Sequence, residues 1–192
     1  MTDNSNPLTT VKPTSPGGHR ASLQGGTSLR ELPWCGKINL RGDPNDARFT
    51  DAAGRVLGMP LPVAANTTSA GENGLIFWLG PDEWLLHCDL EGTETLVGQL
   101  ASIPVHHAAT IVTDYYTVLE LNGENAGAVL ARGCPLDLHE RCFKAAQCAQ
   151  TRFGNASILL YKPGAEPSFQ IQVRWSFTEY IWDYLVEVIA SL

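Results

Sequence analysis

One pattern runs through this chain twice, and it limits the fold more than any single motif. The first pass begins at CGKINLRGDPND, residues 35–46. Ile38 and Leu40 alternate as on a strand with one buried face. Asp43 and Pro44 then read as an N-cap and a proline at the first helical position. Phe49, Ala52, Ala53, Val56 and Leu57 follow at helical spacing, Gly58 stops the helix, and MPLP turns the chain away. The second pass begins at YTVLELNGEN, residues 116–125. Val118 to Leu121 is a strand, and Asn122 or Gly123 opens a short helix carrying Ala126, Val129 and Leu130. Gly133 closes it, and CPLDL turns away.

Both passes continue alike. GLIFWLGPDEWLLHCD and SILLYKPGAEPSFQIQVRW each read as strand, Gly/Pro turn, strand. A helix closes each: Leu96, Val97, Leu100 and Ile103 in the first, SFTEYIWDYLVEVIASL in the second. Two βαββα-type antiparallel units in an α+β chain follow, at 29–104 and 105–192. Residues 1–28 are rich in Ser, Thr, Pro and Gly. They cannot bury enough apolar surface to fold alone, so they are a flexible or partner-wrapping tail.

A chain of 192 residues that is 44% hydrophobic can build a real core. Thirteen basic against 20 acidic residues give −7, with no basic stripe, so nucleic acid is excluded as a partner. The N-terminus has no apolar signal core, and runs such as LIFWLG are too short to span a bilayer. Five cysteines, an odd number, suit reduced thiols in a cytoplasm. The expectation is a cytoplasmic protein.

The last helix carries more aromatics than a solvated helix needs. Ser176 and Glu179 have capping-box spacing. Ile181, Leu185, Val188, Ile189 and Leu192 form one apolar stripe. Phe177, Tyr180, Trp182 and Tyr184 lie off it, with few charges among them. Either they meet another protein chain or the helix is sandwiched within its own domain. Trp175, just ahead of the cap, is expected in the core.

Motifs that carry chemistry are missing. GGHRASLQGG has glycines, but no strand leads in and no helix follows, so it is not a dinucleotide loop. His106 and His107 are adjacent and would face opposite sides of a strand, a poor metal pair. Asp82, Glu83 and Asp114 have no surroundings that suggest a paired acid and base. Cys134, His139, Cys142 and Cys148 crowd one stretch, but no Cys-x2-Cys knuckle is among them. Cys134 also stands where Met59 stands in the first pass, as an apolar filler. No catalytic, cofactor or metal residue is expected in this chain.

Taken as a set, some segments resemble a known family. DYYTVLELNGENAGAVLARGCPLDLHERCF, CAQTRFGNASILLYKP, FQIQVRWSFTEYIWDYLVE and the earlier LGPDEWLL are similar to the gamma subunits of heterotetrameric sarcosine oxidases, over about residues 30 to 192. The resemblance implies ferredoxin-like antiparallel units, as in the folate-binding domains of aminomethyltransferases. It implies alpha, beta and delta subunits as partners, in a complex that oxidatively demethylates sarcosine and passes formaldehyde to tetrahydrofolate. FAD, FMN, NAD, tetrahydrofolate and zinc would sit in the other subunits. This chain would have a structural role. The alternatives are the equivalent subunit of an N-methylglutamate dehydrogenase, a free-standing folate-binding protein, or a small zinc module.

Overall fold

The structure, a computed structural model, describes residues 20–23 and 26–192. In chain order the strands are β1 (Arg20–Leu23), β2 (Thr27–Glu31), β3 (Gly36–Gly42), β4 (Thr68–Gly71), β5 (Gly74–Gly80), β6 (Glu83–Cys88), β7 (His107–Ile111), β8 (Tyr116–Asn122), β9 (Gln147–Phe153), β10 (Ala156–Lys162) and β11 (Ser168–Arg174). The helices are α1 (Ala47–Leu57), α2 (Thr93–Ala101), α3 (Ala126–Ala131) and α4 (Thr178–Ala190). Among the described residues no helix is long and apolar enough to cross a membrane.

The strands form two sheets, ordered β4-β5-β6-β3-β7 and β9-β10-β11-β8-β2-β1. The repeat explains the match. β3, β4, β5 and β6 have the same neighbours as β8, β9, β10 and β11. The α+β class with two antiparallel units holds; beyond the three strands of each βαββα reading, the first sheet gains β4 and β7 and the second gains β9, β2 and β1. β4 was missed because TSAG is four short residues, and β9 because QCAQTRF mixes polar and apolar residues without a clean period.

The division between units differs from the one read from sequence. One unit holds Trp34–Thr113 with Ala146–Ala149; the other holds the chain up to Pro33, then Asp114–Ala145 and Gln150–Leu192. The boundaries at 28/29 and 104/105 therefore move. β2 pairs with β8, Leu29 opposite Leu121, so chain ahead of residue 33 completes the sheet of the second repeat. β7 pairs with β3, Ile111 opposite Ile38, so residues beyond 104 complete the sheet of the first. Most of the expected tail, residues 1–19 together with 24 and 25, lies outside the described residues. Its last part is β1 and the start of β2.

In the first-repeat unit, α1 and α2 bury one face each. Ile38, Leu40, Phe49, Ala53, Leu57, Ile76, Trp84, Leu86, Leu96 and Leu100 make one core. Phe49 and Trp84 stack obliquely with ring centres 6.0 Å apart. The buried Trp84 indole donates to Pro62 O at 2.7 Å, which satisfies its N–H. Gly58 ends α1 at φ 70, the left-handed cap that glycine adopts without a Cβ clash. The start of α1 is a correction. The N-cap is Asp46, whose carboxylate accepts from Arg48 N at 2.9 Å. Asp43 instead accepts from Asn45 N at 2.9 Å in a turn just ahead.

In the second-repeat unit, α4 packs on α3, β1 and β2. Thr178, Ile181, Leu185 and Ile189 are its buried stripe; Leu192, expected in that stripe, is 54% exposed beyond the helix end. The expected capping box is also corrected. Residues Trp175–Phe177 form a 3-10 turn that runs straight into the helix, with no side-chain cap bond. Ser176 lies inside that turn instead of ahead of the helix.

Candidate functional site

The aromatic end of the second-repeat unit is built by the β11-to-α4 junction. β11 places Phe169, Ile171 and Val173 inward. Extending that alternation predicts Trp175 inside. The 3-10 turn rotates the chain there, and Trp175 is 39% exposed. Phe177 at 40% and Tyr180 at 37% are exposed as well, as is Tyr115 at 39%. Trp182 and Tyr184 are half-buried.

The four aromatics singled out from sequence thus split by environment. Tyr184 turns inward. Its hydroxyl donates to Arg132 O at 3.3 Å, and its ring meets Phe153 edge-on at 4.9 Å. Tyr180 lies over the β9–β10 turn, where its hydroxyl accepts from Asn155 N at 3.2 Å. Phe177, 40% exposed, remains at the surface. Sequence reasoning missed Trp175 and Tyr115. The Arg174 guanidinium lies over the Tyr115 ring at 5.1 Å, a contact between segments too distant in the chain for a local pattern to announce.

The cysteine-rich stretch does not assemble a metal centre. Cys134 is buried at the end of α3, its N–H donating to Leu130 O at 2.8 Å. His139 spends Nδ1 on Arg141 N at 3.2 Å. The Cys142 thiol hydrogen-bonds the Asp137 carboxylate, which pushes it above the ordinary thiol range and holds Asp137 below the usual carboxylate range. Cys148 belongs to the other unit, with Sγ 3.5 Å from Thr67 O and 3.6 Å from Trp78 O. Burial pushes its thiol up to about 11. Among the described residues no group of three or more His, Cys, Asp or Glu could hold a metal ion. A zinc ion of the kind the resemblance implies for the complex does not fit these donors.

The first-repeat unit has a cleft of about 870 Å³ lined by Arg41, Asp43, Asp46, Arg48, Asp82 and His106 among others. Its cations are engaged. Arg41 bridges Asp82 at 3.7 Å and Glu83 at 3.3 Å. Arg48 holds Asp46 through two bonds, 3.0 and 2.8 Å. The His107 ring nitrogens face Val105 O at 2.8 Å and Leu100 O at 2.9 Å. Nothing here pairs a nucleophile with a base, the arrangement that covalent catalysis needs.

The chain is thus α+β with two like sheets, and it presents aromatics such as Trp175 and Phe177 at its surface. The sequence comparison is specific: the chain belongs to the sarcosine oxidase, gamma subunit family, whose model matches residues 41–191. It is 31% identical over 174 residues to sarcosine oxidase subunit gamma of Corynebacterium sp. (strain P-1), covering 90% of this chain and 84% of that protein. It is 32% identical over 167 residues to the subunit gamma of Corynebacterium sp. (strain U-96), covering 85% and 80%. Among solved structures it is similar to a chain of the heterotetrameric sarcosine oxidase from Corynebacterium sp. U-96, in complex with pyrrole 2-carboxylate. That match has a TM-score of 0.79 at 30% identity, over 88% of this chain and 87% of that one. Aminomethyltransferase T of the glycine cleavage system from Bartonella henselae shares the fold, with a TM-score of 0.62 at 15% identity over 85% of this chain and 46% of that one.

Proposed function

We propose that this chain is the gamma subunit of a heterotetrameric sarcosine oxidase complex, with a structural role in assembly. The observation that carries the reading is the match, along nearly the whole chain, to a chain of a heterotetrameric sarcosine oxidase. The paired charges of the 870 Å³ cleft and the buried or engaged cysteines support a role without chemistry. The exposed Trp175 and Phe177 support a partner surface at the β11–α4 junction, with Tyr180, Trp182 and Tyr184 at its margin. In this reading the alpha, beta and delta subunits hold FAD, FMN, NAD, tetrahydrofolate and zinc. The complex works in the cytoplasm, demethylating sarcosine oxidatively and passing formaldehyde to tetrahydrofolate.

The test is affinity purification of the tagged full chain from its source, followed by native mass spectrometry and flavin spectra. A flavin-bearing four-subunit complex that oxidises sarcosine is the expected result. A stable monomer with no flavoprotein partner would overturn the reading. Oxidation of N-methylglutamate in preference to sarcosine would retain the assembly role and reassign the substrate.

A further inference from the structure

The half-buried imidazole of His107 sits between two carbonyl oxygens. Its Nδ1 is 2.8 Å from Val105 O, and its Nε2 is 2.9 Å from Leu100 O. A carbonyl only accepts, so each contact needs an N–H on the ring. Neutral imidazole carries one N–H and imidazolium carries two. Both contacts are therefore hydrogen bonds only in the protonated ring. In the neutral ring one nitrogen lone pair faces a carbonyl lone pair. The two acceptors are not equivalent. Leu100 O, at the end of α2, also accepts from Ile103 N at 3.1 Å, so it keeps a donor when the ring lets go. Val105 lies two residues ahead of His107 in the chain, so its carbonyl stays within reach.

The segment held by these bonds, residues 104–108, lines the 870 Å³ cleft. The charges around it do not oppose a cation at His107. Asp43, Asp46 and Asp82 line the cleft together with Arg41 and Arg48, and both arginines are bridged to carboxylates. β3 places Gly42 opposite His107 and Arg41 opposite Ala108. His106 shares the cleft. From α1, Phe49 flanks the ring with centres 5.8 Å apart, while Asp51 and Arg55 are exposed. α2 carries Glu94 in its first turn, at the end away from Leu100. We propose that His107 is a proton-operated latch on this cleft. Protonated, it ties the end of α2 to the start of β7 through both nitrogens. Neutral, it keeps Nδ1–H on Val105 O and releases Leu100 O, which frees residues 104–108 to move. The device works over about pH 5 to 8, where histidine changes charge.

Nuclear magnetic resonance of the isotope-labelled full chain, titrated from about pH 5 to 8, tests this. The His107 ring should carry protons on both nitrogens at the acid end and on Nδ1 alone at the basic end. The carbonyl carbon resonance of Leu100 should shift with the same midpoint as the ring. Exchange of the Val105 amide, which donates to Ile103 O at 2.9 Å, should speed up about tenfold relative to the Phe49 amide in α1 over the same step. Taking the ratio removes the ordinary pH dependence of exchange. A Leu100 resonance and an exchange ratio that ignore the ring's titration would overturn the latch. A neutral ring protonated on Nε2 would overturn the release of Leu100. His107→Gln should abolish the step and His106→Gln should keep it. A step that survives His107→Gln would overturn the assignment, and the measurements on the parent chain stand whether or not that variant folds.

Discussion

The Tyr180 hydroxyl accepts a hydrogen bond from Asn155 N at 3.2 Å, and the neighbouring Gly154 sits at φ 55, where an added Cβ would crowd that hydroxyl. The turn between β9 and β10 is thus fitted to a side chain of α4. Tyr180→Phe should cost about 0.5–1.5 kcal/mol, the net worth of one hydrogen bond. Gly154→Ala should cost about 1–3 kcal/mol through the left-handed backbone and the contact. The double variant should cost less than the sum, since removing the hydroxyl makes room for the methyl. Denaturant midpoints of the four proteins check this, and strict additivity would contradict it.

Trp84 ties β6 to the loop after α1. It is fully buried, and its indole reaches Pro62 O at 2.7 Å. Trp84→Phe leaves that buried carbonyl without its donor and opens space beside Phe49. The expected loss is about 2–4 kcal/mol, combining an unmet polar group with a small cavity. Equilibrium unfolding would show it; a loss under about 0.5 kcal/mol would mean that the carbonyl finds water.

What the sequence made legible was local. Gly58 announced its helix end because αL backbone and glycine go together. The repeat announced both sheets because strand and helix periods recur in the same order. The misreadings came where two signals of one kind competed. Asp43 and Asp46 both suit an N-cap, and the side chain that reaches a free N–H is the second. The strands that finish each sheet gave no local sign. Arg30 and Glu120 form an ion pair across a separation of 90 residues, and no window of sequence encodes that. The surface position of Trp175 was hidden for a different reason: a 3-10 turn breaks the alternation that would have buried it.

Thiol reactivity should follow the site geometry. Cys142 is exposed, whereas Cys88, Cys134 and Cys148 are buried. Burial pushes the Cys35, Cys88 and Cys148 thiols up, so alkylation near pH 8 should begin at Cys142. The Asp137 carboxylate restrains even that thiol. Asp137→Asn keeps an acceptor for His139 N, bonded at 3.0 Å, but removes the charge. The Cys142 thiolate should then form at lower pH and react severalfold faster, as read by mass spectrometry of timed iodoacetamide labelling. Slower labelling in the variant would refute the assignment.

Stability should fall in alkali partly through Cys148. Its thiol titrates at about 11 in the fold against an ordinary 9.0, because burial disfavours the thiolate. A raised folded value gives a contribution fully present below about 9 and lost as pH rises through 11. The size is roughly 2–3 kcal/mol, from about 1.4 kcal/mol for each unit. Unfolding midpoints at pH 8 and pH 11 should therefore separate more for the parent than for Cys148→Ala. Equal separations would place the alkaline loss elsewhere.

The aromatics at the β11–α4 junction should divide between stability and association. Trp175 is 39% and Phe177 40% exposed, so Trp175→Ala and Phe177→Ala should shift the unfolding midpoint little. If they anchor a partner subunit, each should weaken capture by about 2 kcal/mol, roughly thirtyfold, as central interface aromatics do. Tyr184→Ala is the contrast. It loses the bond to Arg132 O at 3.3 Å and the ring contact with Phe153 at 4.9 Å, so unfolding should register it first. Co-purification and thermal melts on the same three variants separate the two roles. Full capture with both Trp175→Ala and Phe177→Ala would move the partner surface away from this junction.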